Sequence, residues 1–176
     1  QITEIARSKS KLMLLIFTKK GIEKWWYDLP QFTLRSRNEP KWLEMDNENQ
    51  SVYWVSSFVS YSVVQIDERV GDDVKILIKV HDYDTQIAKF NFPEESFYSN
   101  KPQIVENKYV ISYQIKNGTV VVLYETPNVE IIRVWLSKNT QASLRLDEKF
   151  LTITDEFGRV LVFDYQAKVL RKNLRF

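Results

Sequence analysis

The 176-residue sequence predicts an all-β fold of four tandem four-stranded antiparallel meanders. Three observations carry this reading. Only four glycines occur, Gly21, Gly71, Gly118 and Gly158, at separations of 50, 47 and 40 residues, an interval in which β-sheet units repeat. Each glycine lies between two runs rich in β-branched and aromatic residues, the composition of strands. Apolar residues come as short runs or in alternation and almost nowhere at the i, i+3, i+4, i+7 spacing of an amphipathic helix.

The repeats cover about residues 1–37, 50–93, 102–137 and 141–176, read together as one domain spanning 1–176. The first strand of each is the weakest signal, at 2–6, 52–56, 103–106 and 143–147. The second runs over 11–18, 58–66, 108–115 and 149–154, and the glycine turn follows it. The clearest hairpin is the third, because Asn117-Gly118 accepts the positive φ angles of a tight type I′ turn. The third strand ends on an aromatic residue or histidine followed by an acid: Tyr27-Asp28, His81-Asp82, Tyr124-Glu125 and Phe163-Asp164. A polar turn then leads to a fourth strand at 32–36, 86–92, 129–136 and 168–174. Segments 37–50 and 93–102 are polar, contain Pro40, Pro93 and Pro102, and read as connections, the first with room for one helical turn around Trp42.

With 44% apolar and 27% charged residues, the chain can bury the core of one ordinary domain. Its longest apolar run, residues 12–17, is six residues, against the roughly 20 of a membrane-spanning helix. The absence of cysteine excludes disulfides, thiolate metal sites and cysteine nucleophiles, and a single histidine, His81, excludes a two-histidine metal site within the chain. A formal net charge of +2 gives no electrostatic reason to expect nucleic acid or anionic lipid.

The last repeat, Leu146-Asp147-Glu148-Lys149-Phe150-Leu151-Thr152-Ile153-Thr154-Asp155-Glu156-Phe157-Gly158-Arg159-Val160-Leu161-Val162-Phe163-Asp164, resembles a WD-repeat β-propeller blade. In that family a turn residue, a lysine and an aromatic open the second strand, a glycine turns into the third, and an aromatic–acid pair closes it. Residues 78–85 resemble the same closing element. The Gly-His and Trp-Asp pairs of well-formed repeats are absent, so the units read as degenerate blades. The resemblance implies a β-propeller or part of one: a closed four-bladed ring, a partial ring completed by another segment, or an open stack. It also implies a non-catalytic protein-interaction scaffold.

Side chains capable of chemistry all have a structural alternative. His81, Asp82 and Asp84 could suggest a metal or acid–base site, but they occupy the closing aromatic slot and the turn after it. The acids of residues 67–73 lack the alternating oxygen ligands of a calcium loop, and Asp155-Glu156 fall at the corresponding turn and should be exposed. Trp25, Trp26 and Tyr27 alternate sides along a strand and read as packing. Basic residues gather at Arg7, Lys9 and Lys11, at Lys19, Lys20 and Lys24, and at Lys168, Arg171, Lys172 and Arg175, but interspersed acids argue against nucleic acid. No phosphate-binding glycine loop or nucleophile elbow occurs. The expectation is therefore no enzyme, cofactor or metal, and protein partners that include the remainder of the chain's own propeller. The expected contact surface is the set of glycine turns, with Lys19, Lys20, Arg69, Asp72, Lys116, Asn117, Glu156 and Arg159, and Trp42 as a separate anchor. The rival reading is a ligand-binding or catalytic propeller that uses the carboxylates of residues 67–73 and 155–156 in a central channel.

Overall fold

A computed structural model describes residues 2–7, 11–18, 21–38, 43–96, 98–136 and 141–175. The chain forms four antiparallel meander sheets. The first contains β1 (Ile2–Arg7), β2 (Lys11–Thr18), β3 (Gly21–Asp28) and β4 (Thr33–Asn38). The second contains β5 (Gln50–Phe58), β6 (Tyr61–Val70), β7 (Asp73–Asp82) and β8 (Thr85–Asn91). The third contains β10 (Gln103–Val105), β11 (Lys108–Ile115), β12 (Gly118–Glu125) and β13 (Val129–Leu136), with the two-residue β9 (Tyr98–Ser99) also paired to β11. The fourth contains β14 (Ala142–Leu146), β15 (Phe150–Asp155), β16 (Arg159–Asp164) and β17 (Val169–Arg175). No helix occurs among the described residues, and the helical turn expected around Trp42 lies outside them.

The first strands stand in a row, with β5 against both β1 and β10, and β10 against β14. These are the inner strands of four stacked blades. Three apolar clusters fill the spaces between blades. Met13, Leu15, Ile22 and Trp26 of the first blade meet Val55, Val64, Ile66 and Leu77 of the second, with Leu43 of the connecting segment. Val63, Ile76, Ile78 and Val80 meet Ile104, Tyr109, Ile111, Tyr113 and Val122 of the third blade, with Phe92 of the next connection. Val110, Val121, Leu123 and Leu136 meet Leu146, Leu151, Ile153, Leu161 and Tyr165 of the fourth. The two interior blades thus bury both faces, and six consecutive residues of β12, Gly118 to Leu123, are buried. In the fourth blade β15 alternates between buried and half-buried positions, with Leu151 and Ile153 on the core shared with the third blade.

One device recurs in all four blades. Every third strand ends on the acid of the aromatic–acid pair, and its pairing with the outer strand slips by one residue just before the aromatic slot. The slip leaves one extra outer-strand residue unpaired, a β-bulge. The bulged residues are Arg35, Ile87, Ile131 and Arg171. In the two end blades the bulged arginine contacts the closing acid, Arg35 to Asp28 and Arg171 to Asp164. In the interior blades the bulged isoleucine packs on an interblade core.

The glycine turns divide into two kinds. Gly71 and Gly158 sit within their turns at φ +65° and +77°, the left-handed conformation that glycine adopts without steric cost. Gly118 corrects the expected type I′ hairpin. Ile115 pairs with Gly118, so the turn's central residues are Lys116 and Asn117, neither has positive φ, and Gly118 opens β12. Its lack of a side chain serves close approach instead: a Cβ there would collide with the Leu136 carbonyl oxygen and the Trp135 Nε1. At Gly71 a Cβ would meet open space, so only the backbone conformation resists substitution. Gly118→Ala should therefore cost about 2–3 kcal/mol by overpacking. Gly71→Ala should cost about 1 kcal/mol from the left-handed backbone alone. Urea unfolding of the two variants checks the order; equal losses would remove the close-approach role of Gly118.

Candidate functional site

In an antiparallel meander, the turn from second to third strand and the segment from outer strand to next inner strand lie on the same side of the sheet. With the inner strands side by side, the glycine turns and the connecting segments of successive blades share one side of the stack. Of the expected contact residues, Asp72, Lys116 and Asn117 are turn residues on this side and are exposed, and Arg69, near the end of β6, is exposed beside them. Glu156 is exposed, and its carboxylate lies 3.4 Å from the Gln141 amide, tying the turn to the start of its own blade. Arg159 is half-buried and committed locally, its Nε donating to Asp155 at 3.0 Å. Lys19, Lys20 and Trp42 lie outside the described residues.

Asp155 was expected to be exposed and is not. It is buried because its carboxylate shapes the turn, with Oδ1 accepting from the Phe157 amide at 3.0 Å and the Arg159 amide at 2.9 Å. Lys24, grouped by sequence with Lys19 and Lys20 as a basic cluster, is fully buried between the first two blades, and its Nζ donates to the Tyr83 carbonyl. On the same strand, Trp26 packs inward 5.1 Å from the Tyr83 ring, while Trp25 faces the other way and donates to Glu23 at 2.8 Å.

Apolar side chains that sequence reasoning missed stand beside these turns. Trp135 is 63% exposed next to Gly118, and Phe157 is 60% exposed within the fourth blade's turn. Val70 and Val74 flank the second blade's turn and are also exposed. Phe157 could have been found, because an aromatic between Glu156 and Gly158 sits in a turn where nothing apolar is needed. Trp135 could not, since it belongs to an ordinary apolar strand run.

Two cavities bear on the rival reading. One, about 790 Å³, opens beside the second blade's turn and the following connection, and Asp67, Asp72 and Asp73 line it. The other, about 380 Å³, adjoins the inner strands and is lined by Ser56, Ser57, Lys101, Pro102, Gln103, Ile104, Val105 and Leu146, with no carboxylate. Asp155 and Glu156 line neither, so the two acidic turns do not converge on a common pocket. Among the described residues no three histidine or carboxylate side chains gather as a metal-binding group.

His81 is buried, and its pKa is lowered to about 3, first by desolvation and then by the nearby charges of Lys24 and Lys79. An imidazole held neutral in this way fills an aromatic slot and is poorly suited to exchange protons near neutrality. Lys79 is buried as well and donates to the Glu44 carbonyl at 2.5 Å and to Asp46 at 3.2 Å. The lysine pair thus fastens the β-sheets to the turn at Tyr83 and to the connection at Glu44–Asp46 rather than forming a reactive centre.

Comparison with known proteins places the fold. Among solved structures, BamB from Moraxella catarrhalis is 10% identical, with 98% of this chain and 49% of that one covered at a TM-score of 0.51. KlAtg21, in complex with the coiled coil of AgAtg16, is 15% identical, with 99% and 55% covered at a TM-score of 0.55. Prolyl oligopeptidase B from Galerina marginata, bound to a 35mer substrate, is 14% identical, with 97% and 26% covered at a TM-score of 0.52. The chain spans about half the length of the first two and a quarter of the third. No family model and no curated protein matches the sequence. The four blades have the fold expected from the sequence, a β-propeller or part of one.

The burial of His81 and Lys24 sets a pH dependence of stability. The folded state holds His81 near pKa 3 against an ordinary 6.5, so the unfolded chain takes up a proton first as pH falls. Stability should decline from pH 6.5 towards 3. Lys24, lowered from 10.5 to about 7 chiefly by burial, makes stability rise from pH 7 towards 10.5. His81→Phe should shrink the acid-side slope by up to about 1.4 kcal/mol per pH unit. Urea unfolding at pH 4.5, 5.5 and 6.5 reads this; an unchanged slope in the variant would mean that His81 titrates normally.

Proposed function

We propose that the chain is a non-catalytic protein-interaction scaffold whose contact surface is the glycine-turn side of the blades. The observation that carries this reading is the conjunction of exposed Trp135, Phe157, Val70 and Val74 with the charged or polar residues Arg69, Asp72, Lys116 and Asn117 on that side. Large aromatic anchors beside polar groups are the composition of interface centres. A rigid stack of blades presents them in fixed positions, so a partner orders fewer groups on binding than it would against a flexible chain. Propellers of similar fold support both this reading and its rival: KlAtg21 is seen with a coiled-coil partner, and prolyl oligopeptidase B is an enzyme. The acids of residues 67–73 and 155–156 line no common cavity, which favours the scaffold. Lys19, Lys20 and Trp42 are proposed as further contacts, and Glu156 and Arg159 hold the fourth blade's turn in shape.

A second reading has its own observation. The outward face of the first blade carries Leu12, Leu14, Ile16, Trp25 and Tyr27, all half-buried, where an interior blade would have a neighbour. At the far end the face of β17 turned away from the third blade exposes Val169 and Leu174. Both are faces on which a further blade of a larger propeller could pack. The scaffold would then be one part of a longer ring or assembly.

One experiment addresses both. The tagged chain is captured from its source alongside Trp135→Ala/Phe157→Ala and Lys19→Glu/Lys20→Glu/Lys116→Glu variants, with native mass spectrometry of each purified chain. The scaffold reading expects a stoichiometric protein partner that both variants lose while keeping the parental melting temperature. A partner retained by both variants, or no protein partner at all, contradicts it. Self-association that persists in both variants would favour packing through the end faces.

A further inference from the structure

We propose that the groove at the second blade's glycine turn is a docking site for an extended, lysine- or arginine-rich peptide segment of a partner protein. The inference deepens the scaffold reading, and rests on it, by naming the chemistry of one part of the contact surface. The groove lies at the glycine-turn end of the space between the second and third blades. Its floor includes Ile76, which also belongs to the core between those blades, so it is an opening onto packed structure rather than a fold of surface loop.

Charge is the first argument. Asp67, Asp72 and Asp73 line the groove from the β6–β7 hairpin, and Glu94 and Glu95 line it from the following connection. Against these five carboxylates stands one cation, Lys75, 3.9 Å from Glu94. The remaining acids have no ion pair within the groove among the described residues, in a chain whose overall net charge is +2. The carboxyl of Asp67 is raised above its ordinary range by burial, so a neighbouring cation would relieve the cost of its charge.

Two further features point to a ligand. Ser96, 6% exposed, forms part of the groove wall, and its Oγ is buried without a hydrogen-bond partner. A buried hydroxyl in that state lacks the partner that native interiors normally supply, at the wall of a groove that is otherwise acidic. The exposed side chains of Tyr53, Val70 and Val74 supply apolar walls for the methylene stems of lysine or arginine. A divalent cation is disfavoured because no three of these carboxylates gather as a metal-binding group among the described residues. At about 790 Å³ the groove has room for several side chains of an extended segment.

The probe is a fluorescein-labelled hexa-arginine peptide titrated into the full chain, with spermine and a hexa-glutamate peptide as comparisons. The expected result is saturable binding of hexa-arginine that weakens as salt rises from about 50 to 300 mM. Asp67→Asn/Asp72→Asn/Asp73→Asn should weaken it about tenfold. Lys75→Glu should tighten it several-fold, a gain that a misfolded variant could not produce. Hexa-arginine binding unaffected by both variants, no binding by the parent chain, or equal competition by spermine would overturn the assignment. Loss of the captured partner with the Trp135 and Phe157 variants reads the scaffold proposal separately, since neither residue lines this groove. Failure of the peptide test with an intact capture result would leave the scaffold and remove only the groove's role.

Discussion

Everything in this structure depends on covering the two faces of a four-stranded sheet. A sheet whose faces are both apolar must have a neighbour on each side, and the blades supply one another with those neighbours through three interblade cores. The constraint explains why β6, β7, β11 and β12 are buried at consecutive positions while β15 alternates. It also explains which polar groups can enter the interior. Lys24 and Lys79 do so because their long stems cross the packed face and bring the ammonium groups to backbone carbonyls of Tyr83 and Glu44.

The repeated bulge shows the same constraint acting on the outer strand. Its position is fixed in every blade by the aromatic–acid pair, yet its side chain follows the blade's place in the stack. Where the bulge borders an interblade space, at Ile87 and Ile131, it is apolar and adds to the core. In the end blades, at Arg35 and Arg171, it is charged and contacts the closing acid, for Asp164 within a set that includes the Ala167 amide at 2.9 Å. That set holds the Asp164 carboxyl below its ordinary range, led by the bond from the Ala167 amide.

Much of this was legible in the residues. The period-two patterns around Gly21, Gly71, Gly118 and Gly158 mark the hairpins, and the aromatic–acid pairs mark the ends of the third strands, because both are local consequences of strand geometry and turn chemistry. What was not legible depends on residues distant in sequence. Asn-Gly is a strong local signal for a turn residue at Gly118, but its role comes from Trp135 and Leu136 of the neighbouring strand β13 packing against it. The burial of Asp155 follows from the amides of its own turn, a geometry fixed only once the turn forms. The glycine-turn side follows in the sequence from the resemblance to propellers, whereas Trp135 on it emerges only from packing, and the acidic groove needs the connection at Glu94–Glu95 to come alongside the β6–β7 hairpin.

The central claim is that stability flows from faces buried between blades, so the interior blades should be the most protected part of the molecule. Native-state hydrogen exchange of backbone amides measures this strand by strand. The account predicts that β6, β7, β11 and β12 open only by global unfolding, while β2, β3, β15 and β16, each with one face covered by another blade, open at lower free energy. Uniform protection across all four blades, or slowest exchange in the first or fourth, would contradict it.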